Sequence, residues 1–309
     1  MSEVGPAVVA LGGGHGLAVV LRAVSSYAGS VTGVVSVADD GGSSGRLRRD
    51  LGVLPPGDLR KCLVALAEPD NVWADAFEHR FGAGELGGHA LGNLVLVGLS
   101  DTLGDFTRAL DEAGHVLGAA GRVRPSTTER VVLKAHLARD RSTDQDVVSV
   151  EGQVAVASVK ARIRRVELVP SDVPAHPDAV AAIAVADQVV LAPGSLYTSL
   201  LPVLAVRELA EAVQSCPGRV VQVCNLRPEV PETSGLDATD HLRAVLEHGA
   251  RVDTFLYQQA GELRCDASAV RALGVDPVAV DVVDPPGAAH DPARLATALR
   301  DVLESEGRE

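Results

Sequence analysis

The stretch ALGGGHGLAVVLRAV (residues 10–24) joins the end of an apolar run to four glycines and an amphipathic segment. This order predicts a buried strand, a tight turn and a helix. Glycines let the backbone turn sharply and bring its N–H groups close to a ligand, and the positive end of the following helix favours an anion. The stretch therefore predicts an α/β fold with a phosphate-binding loop at Gly12–Gly16, and His15 lies inside that loop.

A second glycine loop follows in VADDGGSSGRLRRDL (residues 37–51). Its Asp39 and Asp40 have the chemistry to hold Mg²⁺ against a diphosphate, to bind sugar hydroxyls or to act as a base. The plain structural alternative is that they cap the helix that begins near Ser44. We favour ligand binding, because a helix cap alone does not require two aspartates followed by two glycines and two serines.

Six apolar runs have the length and composition of buried strands. They are Ala7–Leu11, Val31–Val37, Gln188–Ala192, Arg219–Cys224, Thr254–Tyr257 and Val278–Val283. Segments with helical spacing lie between them, and this alternation predicts a Rossmann-like, doubly wound, mostly parallel sheet. These helices are Leu17–Ser26, Asp58–Ala67, Ala90–Leu99, Asp178–Ala186, Val206–Gln214, Asp240–His248 and Pro292–Leu303.

The middle of the chain departs from this alternation. Residues 115–170 contain the apolar run Val131–Leu137, the charged stretch Arg139–Asp146 and a run rich in Val and Arg that reaches Val169. This composition predicts a small β-rich insertion. We expect the insertion to belong to a single α/β domain that spans residues 1–309.

The composition limits the classes of function. Of the 309 residues, 46% are hydrophobic and only 3% aromatic, so an aliphatic core is expected. The net charge of −13 argues against a protein that coats nucleic acid or anionic lipid. The four cysteines are widely separated, the N-terminus lacks the features of a signal peptide, and no run is long enough to span a membrane. We therefore expect a cytoplasmic protein. A basic cluster follows the second loop: Arg46, Arg48, Arg49, Arg60 and Lys61.

Two standard nucleotide motifs fit the first loop poorly. A P-loop requires Gly-Lys-Ser/Thr, and no lysine follows Gly16. A dinucleotide fingerprint that starts at Gly12 or Gly14 would end on Leu17 or Val19 instead of glycine. Asp39 does stand at about the right distance to bind a ribose. A dinucleotide-binding protein is consequently the least favoured interpretation.

Two further strand ends carry polar groups. LAPGSLYTSLLP (residues 191–202) predicts an anion-binding turn at Gly194–Thr198, with ordinary capping by Ser195 or Thr198 as the alternative. Asn225 follows another predicted strand, and Asn93 shares a helix face with His89, four residues before it. Ligands of open α/β sheets lie outside the carboxyl ends of the strands, so these loops are expected to line one cleft.

These motifs, in this order, resemble the YvcK family of bacteria, also called the gluconeogenesis factor or uridine diphosphate-N-acetylglucosamine-binding protein family. The resemblance runs from about Val8 to Leu303 and is carried best by DDGGSSGRLR and PGSLYTS. It implies a cytoplasmic protein that binds UDP-N-acetylglucosamine and supports cell-wall synthesis, cell shape and growth on gluconeogenic carbon sources. It also implies a protein partner, and a homo-oligomer is one possible assembly. No reaction is firmly attached to the family, so a regulator is favoured over a catalyst.

The resemblance extends the set of ligand candidates to neighbouring positions of the same motifs. The residues predicted to bind the ligand are Gly12, Gly13, Gly14, His15, Gly16, Asp39, Asp40, Gly41, Gly42, Ser43, Asn93, Gly194, Ser195, Leu196, Tyr197, Thr198 and Asn225. Two places depart from the family pattern. The segment 227–233 differs from the usual sequence after the Asn, and Ala289 and Pro292 replace a basic residue and a threonine around His-Asp.

The family is similar in fold to the 2-phospho-lactate transferases of deazaflavin coenzyme biosynthesis, which use a divalent metal. This similarity implies an alternative function, a phospholactyl-type transferase in which Asp39 and Asp40 hold Mg²⁺. The low aromatic content argues mildly against it, because a deazaflavin ring usually stacks on aromatic side chains.

Overall fold

The computed structural model describes residues 5–138 and 149–305. Its strands are β1 Ala7–Gly12, β2 Ser30–Val35, β3 Arg122–Pro125, β4 Val132–Leu137, β5 Ser149–Glu151, β6 Ile163–Val169, β7 Gln188–Leu191, β8 Arg219–Val223, β9 Thr254–Gln258 and β10 Asp276–Val280. The charged stretch Arg139–Asp146, predicted to belong to the insertion, lies outside the described residues.

Helices lie between most of these strands. They are α1 Gly14–Val24, α2 Gly42–Leu51, α3 Pro56–Ala65, α4 Val72–Glu78, α5 Leu91–Leu103, α6 Phe106–Leu117, α7 Gln153–Ala157, α8 Pro177–Ala184, α9 Leu201–Leu204, α10 Arg207–Ser215, α11 Ala238–Glu247, α12 Ala267–Ala272 and α13 Pro292–Ser305. A π-helical turn, Leu196–Leu200, runs directly into α9.

Seven strands form one sheet in the order β10-β9-β8-β7-β1-β2-β3, and every pair in it is parallel. The predicted Rossmann-like α/β fold is therefore confirmed. The chain runs from β1 to β2 and β3 on one side and returns to β7 on the other side of β1. Ligands of open α/β sheets bind at the point where the strand order reverses, so the β1–β7 boundary marks the expected cleft.

The core of this sheet is aliphatic. Val8, Val9, Ala10 and Leu11 of β1 are almost completely buried, because helices cover both faces of a parallel sheet. Helix α1 packs against α3 on one side and against α13 on the other. This packing fixes the start of α1 at the carboxyl end of β1.

The second sheet is small and antiparallel, with the order β5-β4-β6. It supplies the β-rich insertion, but its boundary differs from the predicted residues 115–170. Arg122–Pro125 pairs in parallel with β2 and forms the edge of the main sheet. The chain can bury Arg124 in this strand because Asp111 and Asp178 both pair with its guanidinium, at 2.8 and 2.9 Å. Because β3 contains this buried arginine, its sequence lacks the apolar run typical of a strand in the main sheet, and it was assigned to the insertion.

In the two ranges that the structure covers, every helix is too short or too polar to cross a lipid bilayer.

Candidate functional site

A cavity of about 280 Å³ opens at the carboxyl ends of β1, β7 and β8. It lies at the switch point, where the strand order of the main sheet reverses. Its walls come from the loops after these strands and from the segment that precedes α13. The lining includes His15, Gly16, Gly194, Asn225, Arg227 and His290. We refer to this cavity as the switch-point cleft.

The first glycine loop ends at the N-terminus of α1. Gly13 is the N-cap residue and has no side chain to accept a hydrogen bond, and the first turn contains no acidic residue. The residue before α1 therefore offers its first N–H groups no side-chain acceptor, and the helix dipole makes this end positive. Helices that bind phosphate begin in this way.

Glycine is required in this loop because other chain segments approach it closely. A Cβ at Gly16 would collide with the carbonyl oxygen of Pro193, in the loop after β7. A Cβ at Gly13 would lie 2.9 Å from Oδ2 of Asp58. The start of α1 is therefore held tightly between the loop after β7 and the first turn of α3.

Two residues of α3, Asp58 and Lys61, lie beside the first glycine loop and were not predicted as ligand contacts. Asp58 approaches Gly13, and its Oδ1 pairs with Nζ of Lys61 at 2.9 Å. Partial burial and the nearby charge of Lys61 lower the pKa of His15, which favours the neutral ring. Lys61 belongs to the basic cluster noted in the sequence, and that cluster was the only sequence signal that pointed to this residue. Arg60, its neighbour, is instead buried against Glu78 and the carbonyl of Phe77.

The two aspartates of the second loop have different positions. Asp39 accepts a hydrogen bond from the N–H of Gly41 at 2.9 Å, and burial raises its pKa, with Asp58 adding to the rise. Asp40 accepts hydrogen bonds from the N–H groups of Gln153 and Val154, both at 3.0 Å. Asp40 thus caps α7 of the insertion, whereas α2 begins at Gly42 without a side-chain cap. The carboxylate that lies near Asp39 is Asp58.

Ser43 and Asn93 meet below this loop and do not line the switch-point cleft. Nδ2 of Asn93 donates to Oγ of Ser43 at 3.0 Å, and Nδ1 of His89 lies 3.0 Å from the same oxygen. All three side chains are buried, and burial lowers the pKa of His89. Oδ1 of Asn93 has no partner among the described residues. This network fixes the first turn of α2 against α5.

Asn225 contacts the main chain of the loop after β7. Its Oδ1 accepts a hydrogen bond from the N–H of Gly194 at 3.0 Å, and its Nδ2 donates to the carbonyl of Gly194 at 2.8 Å. Both ends of the amide are therefore engaged by one residue. Asn225 lines the cleft and also holds its neighbouring loop in place.

The predicted anion turn contains a carboxylate of the chain itself. Oε1 of Glu232 accepts from the N–H groups of Tyr197 at 2.6 Å and Thr198 at 3.2 Å, and Oγ1 of Thr198 donates to Oε2 at 3.0 Å. Glu232 is only 6% exposed. Burial, assisted by the charge of Glu229, raises its pKa to about 7. Glu232 lies in the segment whose sequence departs from the family pattern, and no local motif marks it as a partner of Tyr197.

The segment before α13 completes the cleft. His290 donates from Nε2 to the carbonyl of Cys224 at 3.1 Å, and Oδ1 of Asp291 accepts from the N–H groups of Ala293 and Arg294 at the start of α13. The guanidinium of Arg227 donates to the carbonyl of Ala288. Arg227 therefore places a positive charge next to Ala289, the position at which the family pattern has a basic residue.

The candidate metal ligands are few. Across the described ranges, no group of three or more His, Cys, Asp or Glu side chains has the arrangement of a metal site. The charge of Asp58 contributes to the raised pKa of Asp39, and Asp58 itself borders the first glycine loop. Any bound Mg²⁺ would need a ligand phosphate or water to complete its coordination.

Fold and cleft together define an open α/β protein with a cavity at the switch point of its sheet. The family model described as "2-phospho-L-lactate transferase CofD" matches residues 8–287. The gluconeogenesis factor of Bacillus subtilis is 35% identical over 96% of this chain and 98% of its own length. A putative gluconeogenesis factor of Mycobacterium leprae is 42% identical over 95% of this chain and 85% of its own length.

The solved structures include a similar protein. A crystal structure of a UPF0052-family member from Bacillus halodurans superimposes with a TM-score of 0.89 at 36% identity, covering 95% of this chain and 98% of that one. The chain belongs to the CofD family, among its gluconeogenesis factors.

Proposed function

We propose that this chain is a cytoplasmic regulatory protein that binds UDP-N-acetylglucosamine in the switch-point cleft. It would act in cell-wall synthesis, cell shape and growth on gluconeogenic carbon sources. The observation that supports this best is the uncapped N-terminus of α1, which lies beside Lys61 at the switch point of the sheet. A diphosphate has the charge and the acceptor oxygens that such a helix end binds.

The contacts already present in the loops support one position for the diphosphate. The N–H groups of Tyr197 and Thr198 are engaged by Glu232, and that of Gly194 by Asn225. The phosphates would therefore contact the first turn of α1 and Lys61, and Arg227 would reach them from the opposite wall. Ligand sites of proteins usually have 300–1,000 Å³. At about 280 Å³, the cleft is slightly smaller than this range, so one ring of the nucleotide sugar would extend towards the open edge.

Regulation would follow from closure of the cleft around the ligand. The cleft walls belong to separate loops, so a ligand that contacts both sides stabilises the closed arrangement over the open one. A protein partner that recognises the closed arrangement would then respond to the nucleotide-sugar concentration.

Isothermal calorimetry tests the proposal. UDP-N-acetylglucosamine should bind, and Lys61→Gln should weaken binding about tenfold or more, because one charge-assisted hydrogen bond to phosphate is lost. The matched control is Lys160→Gln, which removes an exposed lysine of the insertion. No heat at millimolar ligand would refute the proposal. Equal affinities of the Lys61→Gln and wild-type proteins would refute the assigned phosphate position.

A phospholactyl-type transferase is the second candidate, and the Asp39–Asp58 pair favours it. A divalent cation held by these carboxylates would neutralise negative charge on a transferred phosphoryl group. Asp40 is not available for this role, because α7 engages both of its oxygens. Mg²⁺-dependent turnover of a phospholactyl donor with a deazaflavin alcohol would decide for this candidate.

A further inference from the structure

Two of the segments that line the switch-point cleft contact each other, the loop after β8 and the segment before α13. Side chains join them at two levels. At the base, His290 donates to the carbonyl of Cys224 at 3.1 Å, and this contact is buried. At the rim, the guanidinium of Arg227 donates to the carbonyl of Ala288, and this contact is exposed to solvent.

The segment before α13 contains a tight turn, residues 284–289. Oδ1 of Asp284 accepts hydrogen bonds from the N–H groups of Ala288 and Ala289, at 2.7 and 3.1 Å. The N–H of Asp284 donates back to the carbonyl of Ala289 at 2.9 Å. These bonds do not use the carbonyl of Ala288, which accepts from Arg227. The 284–289 turn therefore keeps its shape whether or not Arg227 contacts it.

The tip of the 284–289 turn is weakly anchored. Residues 285–289 are all exposed, so the tip buries little apolar surface. Segments with few buried contacts are at the low-stability end of a protein. The hydrogen bond from Arg227 therefore has a large share in holding the tip against the loop after β8.

Arg227 is held in this position by a neutral acceptor, whereas the buried arginines Arg60 and Arg124 pair with carboxylates. Asp284 supplies a counter-charge at longer range. Hydrogen bonds from the N–H groups of its turn, that of Ala289 first, lower the pKa of Asp284, and the charge of Arg227 lowers it further.

A phosphate in the cleft competes with the carbonyl of Ala288 for Arg227. Among the described residues, the cleft lining contains one carboxylate, Glu229, and one guanidinium, Arg227. A phosphate on this wall therefore has Arg227 as its cationic partner. A guanidinium forms two parallel hydrogen bonds with a phosphate, and the phosphate also carries the opposite charge, which a carbonyl oxygen does not. An exposed arginine reaches the new partner by side-chain rotation alone.

We propose that Arg227 is a latch that a ligand phosphate opens. In the free protein its guanidinium holds the 284–289 turn against the loop after β8. In the bound protein the guanidinium contacts the phosphate, and the turn is released. This inference rests on the proposed binding of a nucleotide diphosphate in the cleft. It identifies the exposed 284–289 turn as the surface that differs between the two states, so a partner that binds this turn in one state responds to the ligand.

NMR relaxation of the amides of Gly287, Ala288 and Ala289 tests the latch. Saturating UDP-N-acetylglucosamine should lower their order parameters from about 0.85, typical of rigid backbone, to below about 0.6. In Arg227→Gln these amides should be mobile without ligand, and the ligand should change them no further. The matched control is Arg164→Gln, which removes an exposed arginine of β6 outside the cleft and should behave as the wild type. Thermal melting of both variants verifies that they are folded.

Calorimetry on the same samples separates the latch from the proposed function. If UDP-N-acetylglucosamine binds and the order parameters of the turn stay unchanged, the latch is overturned and the proposed function stands. A turn that is as rigid in free Arg227→Gln as in the wild type also overturns the latch. If UDP-N-acetylglucosamine gives no heat, the proposed function fails and inorganic pyrophosphate decides on the latch. Release of the turn by millimolar pyrophosphate supports the latch, and an unchanged turn overturns it.

Discussion

At the scale of single residues, Glu232 shows how a buried charge is kept inside the fold. Two backbone N–H groups and one hydroxyl of the turn after β7 contact its carboxyl group. These contacts favour the charged form, but burial outweighs them and raises the pKa to about 7. The same contacts serve the protonated acid, because Oε1 remains an acceptor and a protonated Oε2 can donate to Thr198.

The raised pKa of Glu232 predicts a pH-dependent stability. Unfolding lowers the pKa from about 7 to 4.5, so the folded protein binds the proton more tightly. The contribution of Glu232 to stability is complete below pH 4.5 and is lost as the pH rises through 7. The loss is on the order of 3 kcal/mol at most, at 1.36 kcal/mol per pKa unit.

Glu232→Gln should remove this dependence, since an amide does not titrate over this range. Urea unfolding at pH 5.0 and 8.0 measures it, and the difference between variant and wild type cancels the contribution of buried histidines. Glu211→Gln, on exposed α10, is the control and should follow the wild-type profile. Parallel profiles of Glu232→Gln and wild type would contradict the prediction.

Individual site residues were predictable where a local motif marks them. Gly16, which lines the switch-point cleft, was among the predicted residues because a glycine loop between a strand and a helix is a typical anion site. Asp58 and Glu232 were not found, because their roles depend on which elements meet in space. Asp58 reaches Gly13 only through the packing of α3 on α1, and Glu232 reaches Tyr197 although it lies 35 residues further along the chain.

At the scale of elements, hydrophobic patterning located the interior strands and most helices. The prediction Ala7–Leu11 differs from β1 by one residue, because β1 is buried on both faces and reads as a continuous apolar run. Strand β3 carries two arginines in four residues and gives no such run. Its place at the edge of the main sheet follows from pairing with β2, which the sequence pattern does not encode.

Adding one methyl group to α1, by the substitution Gly16→Ala, tests how much its close contact with the loop after β7 contributes to stability. Gly16→Ala places a Cβ on the carbonyl of Pro193 and should destabilise the protein by about 2 kcal/mol or more, because backbone must move. Gly98→Ala is the control, since this exposed glycine of α5 has open space around it and should gain about 0.5–1 kcal/mol. Thermal unfolding measures both. A neutral Gly16→Ala would show that the contact is dispensable.

At the scale of the whole molecule, Asp40 joins the two sheets. It lies in the loop after β2 of the main sheet, yet it caps α7, 113 residues further along the chain. Helix α7 also packs against the π-helical turn that follows β7. The small sheet is therefore attached to the main sheet beside two of the predicted ligand loops, the one after β2 and the one after β7.

Asp40→Ala should loosen the small sheet while leaving the main sheet intact. Loss of a helix cap destabilises a helix by about 1 kcal/mol, which corresponds to about fivefold faster hydrogen exchange of the amides of α7. Asp105→Ala removes the cap of α6 and should accelerate exchange in that helix alone. Unchanged exchange in α7 would show that Asp40 does not hold the insertion.

The carboxylate of Glu232 also competes with any free anion for the N–H groups of the turn after β7, because it is covalently attached to the chain. A group attached through a short loop acts at an effective concentration in the millimolar range, whatever the concentration of free anions around the protein. A metabolite present at micromolar levels therefore cannot displace Glu232 from Tyr197 and Thr198 by charge alone. The carboxylate beside the N-terminus of α1, Asp58, is instead paired with Lys61, so this end of the cleft is where a dilute anionic metabolite can bind.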